Sequence, residues 1–269
     1  MDTAKDLVER LQAWLSTEDA VQVAVSGGVD SMTLALLAGR IPDCRARMFH
    51  ARSPAVPPTA TTRVEQAAQR EGWDLHLLVA GEMEDEAYLA NPYRRCFHCK
   101  SHLYAALAAA GPGTLLSGTN ADDLKDFRPG LEAAETYQVR HPFVECGVGK
   151  AGVRYICRHL GYAELSELPA SPCLSSRIET GIRIRPTMLR FVDRVETLLR
   201  RELPAPVVRC RIRATEIAVQ LEPAVLSCLS RVATNDWSTR IRELAAPLGL
   251  PTSIRFEPYR MGSAFVQDR

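Results

Sequence analysis

The sequence predicts an α/β protein: a doubly wound, mostly parallel sheet, followed by a smaller C-terminal α+β domain. Three observations predict it. Apolar strand-like runs alternate with helical periodicity as far as residue 160, the pattern of a parallel sheet covered on both faces. A Ser-Gly-Gly-Val-Asp-Ser turn joins the first run to the helix after it. Beyond Pro186 the order changes, and two strand-like runs become neighbours in the chain.

Residues 4–15 have the spacing of an amphipathic helix. Residues 21–25 form an apolar strand, and a helix over 31–39 ends at a glycine. A second strand over 46–51 leads through a proline-rich loop to a helix over 61–70, and 75–79 is the third strand. A helix over 101–110 precedes a fourth strand at 114–117. A fifth, near Val139, leads to a helix over 151–160. The proline-rich stretch Leu168-Pro169-Ala170-Ser171-Pro172-Cys173 breaks the alternation. After it come a helix from Pro186 to about 203, strands at 207–213 and 217–221, two helices and a last strand at 254–256. The expected division is a domain over 1–167, a linker over 168–185 and a small domain over 186–269.

The chain has 269 residues, 46% hydrophobic and 24% charged, enough to bury a real core. A net charge of +1 argues against nucleic acid or an anionic membrane as the partner of the whole protein. Residues 1–16 carry Asp2, Asp6 and Glu9 among their apolar positions, which is not a secretory signal, and no stretch has membrane-span length. A cytoplasmic location follows as the expectation, with the eight cysteines reduced.

The Ser26-Gly27-Gly28-Val29-Asp30-Ser31 turn has the chemistry of an anion loop. Glycines let the backbone approach a phosphate, a helix N-terminus presents N–H groups, and Ser26 and Ser31 add hydroxyls. Asp30 would repel phosphate by itself, so it implies a nearby magnesium ion or a capping role. No Gly-Lys-Ser/Thr ending is present, which excludes the common nucleotide triphosphatase loop.

Cys96-Phe97-His98-Cys99-Lys100 places a C-x-x-C pair ahead of the predicted helix, and Cys173 stands alone in Ser-Pro-Cys-Leu-Ser-Ser-Arg. A C-x-x-C pair fits a redox site, half a zinc site or two buried thiols, and three thiolates also suit an iron–sulfur cluster with one open iron. Cys44, Cys146, Cys157, Cys210 and Cys228 show no spacing relation. Asn120, Asp122 and Asp123 follow a strand end, where open parallel sheets gather ligands. Arg209 and Arg211 alternate on one face of a strand and, with Arg177, suit bidentate recognition of phosphate or carboxylate.

The phosphate loop resembles the signature of the PP-loop ATP pyrophosphatases, of adenine nucleotide α-hydrolase-like fold. Further strings narrow the resemblance: Asn91 to Lys100, Ser117-Gly118-Thr119-Asn120-Ala121-Asp122-Asp123, Phe127-Arg128-Pro129-Gly130 and Pro169 to Arg177. More loosely, Val208 to Arg211 and Tyr259-Arg260-Met261-Gly262-Ser263 continue it. In this order they are similar to the ATP-dependent sulfur transferases of nickel-pincer nucleotide biosynthesis (LarE type), which serve lactate racemase maturation. The strand at 218–222 departs from that pattern, lacking a clear acidic match.

The resemblance implies that ATP is cleaved to AMP and pyrophosphate while a carboxylate of a pyridinium dicarboxylate mononucleotide is adenylated, and that sulfur then displaces AMP. It implies ATP contacts from Ala24, Ser26, Gly27, Gly28, Asp30, Ser31, Gly118, Asn120 and Asp123. Substrate contacts fall to Arg177, Arg209 and Arg211, and catalytic roles to Asp30, Lys100 and Cys173. Two sulfur sources occur in the family: the cysteine matching Cys173 gives up its own sulfur, or three cysteines hold a 4Fe–4S cluster. Cys96, Cys99 and Cys173 together match the cluster-bearing kind. ATP, Mg2+ and the cluster are then the expected cofactors, with an unidentified sulfur donor and a homo-oligomer as the expected partners. The rival function is a tRNA thiolase of the same superfamily. The near-neutral charge and the lack of further C-x-x-C pairs argue against it.

Overall fold

The computed structural model describes residues 3–125 and 129–260. It divides into two units, Met1–Glu82 with Cys96–Ser171, and Met83–Arg95 with Pro172–Arg269. The division at Ser171 falls inside the expected linker. The transfer of Met83–Arg95 to the second unit has no local sequence signal.

In the first unit, β1 (Ala20–Ala24), β2 (Arg45–Ala51), β3 (Asp74–Leu78) and β4 (Thr114–Ser117) form an all-parallel sheet in the order β3-β2-β1-β4. Strand alternation sends neighbouring residues to opposite faces. Val23 pairs with Met48 and Leu116, and all three enter one core with Leu7 and Leu11 of the Ala4–Leu15 helix and Ile156 of the Lys150–His159 helix. Their chain neighbours Ala24, Phe49 and Leu115 join a second core with Tyr104 and Leu107 of the Arg95–Ala109 helix and Ala133 of the Pro129–Thr136 helix. Both faces are therefore covered, as the doubly wound reading requires.

Three local expectations shift. The helix predicted over 61–70 runs from Pro58 to Glu71, because a proline at the first helical position gives up only an N–H that would have no helical partner. The helix predicted over 101–110 starts at Arg95, so the C-x-x-C pair lies within its first turns rather than ahead of it. The fifth strand near Val139 reduces to one parallel bridge between Leu116 and Arg140, because Pro142 opens a helical turn two residues later.

The second unit carries β5 (Val208–Ile212), antiparallel to β6 (Ile217–Leu221), which is parallel to β7 (Ile254–Pro258). With the Pro186–Glu202 and Arg231–Ala245 helices this is the expected α+β unit. Val208, Cys210 and Ile212 lie on one face of β5, and Arg209 and Arg211 on the other. No helix among the described residues is long and apolar enough to cross a membrane.

Candidate active site

Strand β1 delivers the chain into the Ser26–Ser31 loop at the C-terminal end of the sheet, where Ala24, at the strand's last position, is buried opposite Phe49. Gly27 adopts φ +81°, and a Cβ there would lie 2.8 Å from the Ala60 carbonyl oxygen, so only glycine fits. The Ser31 hydroxyl closes the loop: it accepts from the Ser26 N–H at 3.0 Å, lies 3.0 Å from the Ser26 hydroxyl and donates to the Gly28 carbonyl at 3.2 Å. Arg63 braces the outside by donating to the Gly27 carbonyl at 2.7 Å. Gly28 is the N-cap of the Val29–Ala38 helix, and no side chain caps that end. Its first N–H groups and positive dipole end are thus presented to an anion.

Asp30, in the first turn of this helix, joins a polar network from two further loops of the same unit. Asn120 Nδ2 donates to Asp30 at 3.3 Å and to Asp123 at 3.0 Å, and Asp123 also accepts the Asn120 N–H at 3.1 Å. Gly118 makes this convergence possible: a Cβ there would lie 2.6 Å from the Ser31 nitrogen. Asp122 receives the Lys150 N–H at 2.9 Å, and its carboxyl is held below the usual range by Lys125 and then by that N–H.

Lys150 Nζ lies 2.5 Å from Asp30 Oδ2, which the sequence reading missed. A signal was present, because Gly147-Val148-Gly149-Lys150 is a second glycine-rich turn opening a helix. The pairing answers the charge objection to Asp30, since an ammonium in contact with the carboxylate cancels its repulsion of phosphate. His50 stands beneath the loop between the Val25 carbonyl at 2.8 Å and the Thr61 hydroxyl at 2.9 Å, and burial lowers its pKa.

All eight cysteines are thiols. Cys96 and Cys99 stand one turn apart on the Arg95–Ala109 helix, half-buried on neighbouring positions of one face. Lys100 Nζ lies 5.4 Å from the Tyr104 ring centre. Tyr104 first, then Cys99 and Cys96, hold its ammonium charged against the cost of burial. Beside it His141 Nδ1 is 2.8 Å from the Ser117 hydroxyl, and burial keeps this imidazole neutral-leaning too.

In the second unit Cys173 is half-buried and caps the short 3-10 helix Leu174–Arg177. Its carbonyl accepts from the Ser176 N–H at 3.0 Å, the Ser176 hydroxyl at 2.7 Å and Arg177 Nη1 at 3.1 Å. Arg177 is fully buried and forked onto Glu196 at 2.9 and 3.2 Å, with a further bond to the Pro172 carbonyl at 2.6 Å. That geometry fastens the guanidinium to Glu196 and to the backbone of the Cys173 loop. Burial would raise the Glu196 carboxyl, but Arg177 and Arg200 outweigh it and keep it low.

Arg209 and Arg211 do share a buried face. Arg209 donates to the Val208 carbonyl at 2.9 Å and lies over the Tyr259 ring at 5.7 Å. Arg211 donates to Gln220 at 2.5 Å and to the Ser176 carbonyl at 2.9 Å. Burial and then the Arg177 charge push its pKa down to about 10. Gln220 lies opposite Arg209 across the β5–β6 pair, and its own Nε2 donates to the Glu257 carboxylate at 2.8 Å. Phe127, Arg128, Met261, Gly262 and Ser263 lie outside the described residues.

The donor chemistry of Cys96 and Cys99, one helical turn apart, fits two corners of a thiolate-held cluster, and Cys173 belongs to the second unit. Among the described residues no three His, Cys, Asp or Glu side chains gather as a ready metal site.

No family model matches the chain. It is 26% identical over 219 residues to the pyridinium-3,5-bisthiocarboxylic acid mononucleotide synthase of Lactiplantibacillus plantarum, covering 80% of this chain and 79% of that one. Over 182 residues it is 26% identical to the uncharacterized protein MJ0830 of Methanocaldococcus jannaschii, covering 66% and 68%. With the uncharacterized protein slr1717 of Synechocystis sp. it shares 36% identity over 220 residues, covering 80% of this chain and 81% of the relative. Shared sequence at that level and coverage shows that the chain belongs to the same family as slr1717.

Proposed function

We propose that the protein is an ATP-dependent sulfur transferase that adenylates a carboxylate of a pyridinium dicarboxylate mononucleotide and replaces AMP with sulfur. The observation that carries this reading is the Asp30–Lys150 pair at an uncapped helix N-terminus flanked by the Ser26 and Ser31 hydroxyls. The sequence relation to a pyridinium-3,5-bisthiocarboxylic acid mononucleotide synthase supports the substrate class.

ATP enters with Mg2+, and the loop holds the β and γ phosphates by N–H groups and hydroxyls while Lys150 adds positive charge beside them. The substrate carboxylate attacks the α phosphorus, the bond to the β phosphate breaks, and pyrophosphate leaves. A sulfur nucleophile then adds to the acyl carbon and AMP departs with the carboxylate oxygen. Arg209 and Arg211, side by side on one buried face of β5, are proposed to bind the substrate's phosphate or second carboxylate. A 4Fe–4S cluster held by Cys96, Cys99 and Cys173 would supply the sulfide, with Lys100 lending positive charge next to the pair.

Protein mixed with Mg–ATP and the pyridinium mononucleotide should form AMP and pyrophosphate in equal amounts; steady ADP would sink the proposal. Lys150→Met should slow pyrophosphate release by roughly tenfold to a hundredfold, as expected for one charged contact of about 1.5–3 kcal/mol. Arg211→Ala should raise the KM for the mononucleotide and leave that for ATP unchanged.

A further inference from the structure

We propose that Tyr88 and Asn91 are positioning residues: they clamp the Cys173 loop, so that the segment leading into Cys96 sets how the Cys173 thiol is presented. The inference rests on the sulfur-transfer reading and concerns only the step after adenylation.

The second unit borrows Met83–Arg95 from the middle of the first unit's sequence, and this segment runs directly into Cys96. Within the second unit it is fastened to the residues that follow Cys173. The Tyr88 hydroxyl lies 2.6 Å from the Ser175 hydroxyl, and both side chains are almost wholly buried. Asn91 is also buried, and its Nδ2 donates to the carbonyls of Glu179 at 2.8 Å, Ile182 at 3.0 Å and Ile178 at 3.4 Å. The backbone adds Gly181 N–H to the Asn91 carbonyl at 2.9 Å and Ile184 N–H to the Leu89 carbonyl at 2.8 Å.

This fastening carries a local cost. Asn91 adopts φ +54°, a left-handed conformation that asparagine tolerates better than most residues, and its Oδ1 is buried with no hydrogen-bond partner among the described residues. Such conformations persist where the surroundings over-determine them, and they cluster where a site needs fixed geometry. Here the fixed object is the Cys173 turn. Arg177 and Ser176 hold its carbonyl, and Tyr88 holds the Ser175 hydroxyl, while the Cys173 side chain stays half-exposed. Attack at an acyl carbon depends steeply on where sulfur is held, whereas ATP cleavage uses the Ser26–Ser31 loop and none of these residues. Loosening the clamp should therefore uncouple the two half-reactions.

The test compares wild type, Tyr88→Phe, Ser175→Ala, their double variant, and Asn91→Gly, which keeps the positive φ and deletes the amide. Two quantities are read: the rate at which iodoacetamide alkylates Cys173 in apo protein, by peptide mass spectrometry, and the thiocarboxylate formed per pyrophosphate released. Tyr88→Phe and Ser175→Ala should each speed alkylation about threefold to tenfold, the opening gained when one hydrogen bond is lost, and Asn91→Gly, which removes the amide's three bonds, should speed it at least as much. The double variant should match Tyr88→Phe. Thiocarboxylate per pyrophosphate should fall while pyrophosphate release holds. Unchanged alkylation in Tyr88→Phe and Asn91→Gly, or loss of pyrophosphate release in step with thiocarboxylate, would overturn the proposal. If wild type released no pyrophosphate, the adenylation reading would fail by itself, and the alkylation rates would still decide whether the clamp exists.

Discussion

A methyl group on Gly118 would stand 2.6 Å from the Ser31 nitrogen and 2.7 Å from the Asp30 carbonyl carbon, backbone atoms that cannot step aside. Gly118→Ala should force the Asn120 loop away from the phosphate loop, costing about 1–3 kcal/mol of stability and most of the ATP affinity. Urea unfolding and nucleotide titration would check both, and an unaffected ATP affinity would contradict the geometry. His50 and His141 yield a second expectation. Burial holds both imidazoles below their usual 6.5, so in mild acid the unfolded chain binds more protons than the folded one. Stability should be full above that value and fall as pH drops below it, and His50→Gln should flatten the fall in a series of urea midpoints. The residues of the phosphate loop were legible in sequence because glycine, serine and a strand-to-helix junction state one chemistry together. Lys150 was not, because its role depends on a loop from another part of the sheet brought within 2.5 Å of Asp30.

Among the elements, the Pro186–Glu202 helix is tied to its unit by a carboxylate rather than by apolar contact alone. Glu196 receives Arg177, Arg200 and the Cys210 N–H with its side chain 1% exposed. Glu196→Ala would leave the Arg177 guanidinium buried without its counter-charge, and breaking such a pair costs about 3–5 kcal/mol. Denaturant unfolding of that variant should show the loss, and a change below about 1 kcal/mol would mean that water already reaches the pair. Strand and helix identities were readable along the chain because alternation and helical periodicity are local. The boundaries at Pro58 and Arg95 were not: a proline can end a loop or begin a helix, and Arg95 is drawn into its helix with its side chain fully buried. The pairing of Arg177 with Glu196 was not readable either, because the two lie nineteen residues apart, beyond the reach of any motif.

At the scale of the whole molecule, the chain leaves its first unit at Glu82, contributes Met83–Arg95 to the second, returns at Cys96 and crosses again after Ser171. Composition and periodicity do not record such an excursion, because each piece keeps its own local pattern and only long-range contacts reveal the exchange. The consequence is that the Ser26–Ser31 loop and the C-x-x-C pair belong to one unit, and Cys173 and the arginine face to the other. On the proposed function, the adenylation step should be separable from sulfur delivery by mutation, as the Lys150 and Tyr88 variants are designed to show. The most direct measurement follows the oxygen. A pyridinium dicarboxylate mononucleotide carrying heavy oxygen in its carboxylates, turned over with Mg–ATP under anaerobic conditions, should yield AMP bearing one labelled oxygen. Its product should hold sulfur where that oxygen was. AMP labelled only from water, or a product that keeps all its carboxylate oxygens, would contradict adenylation of the substrate carboxylate.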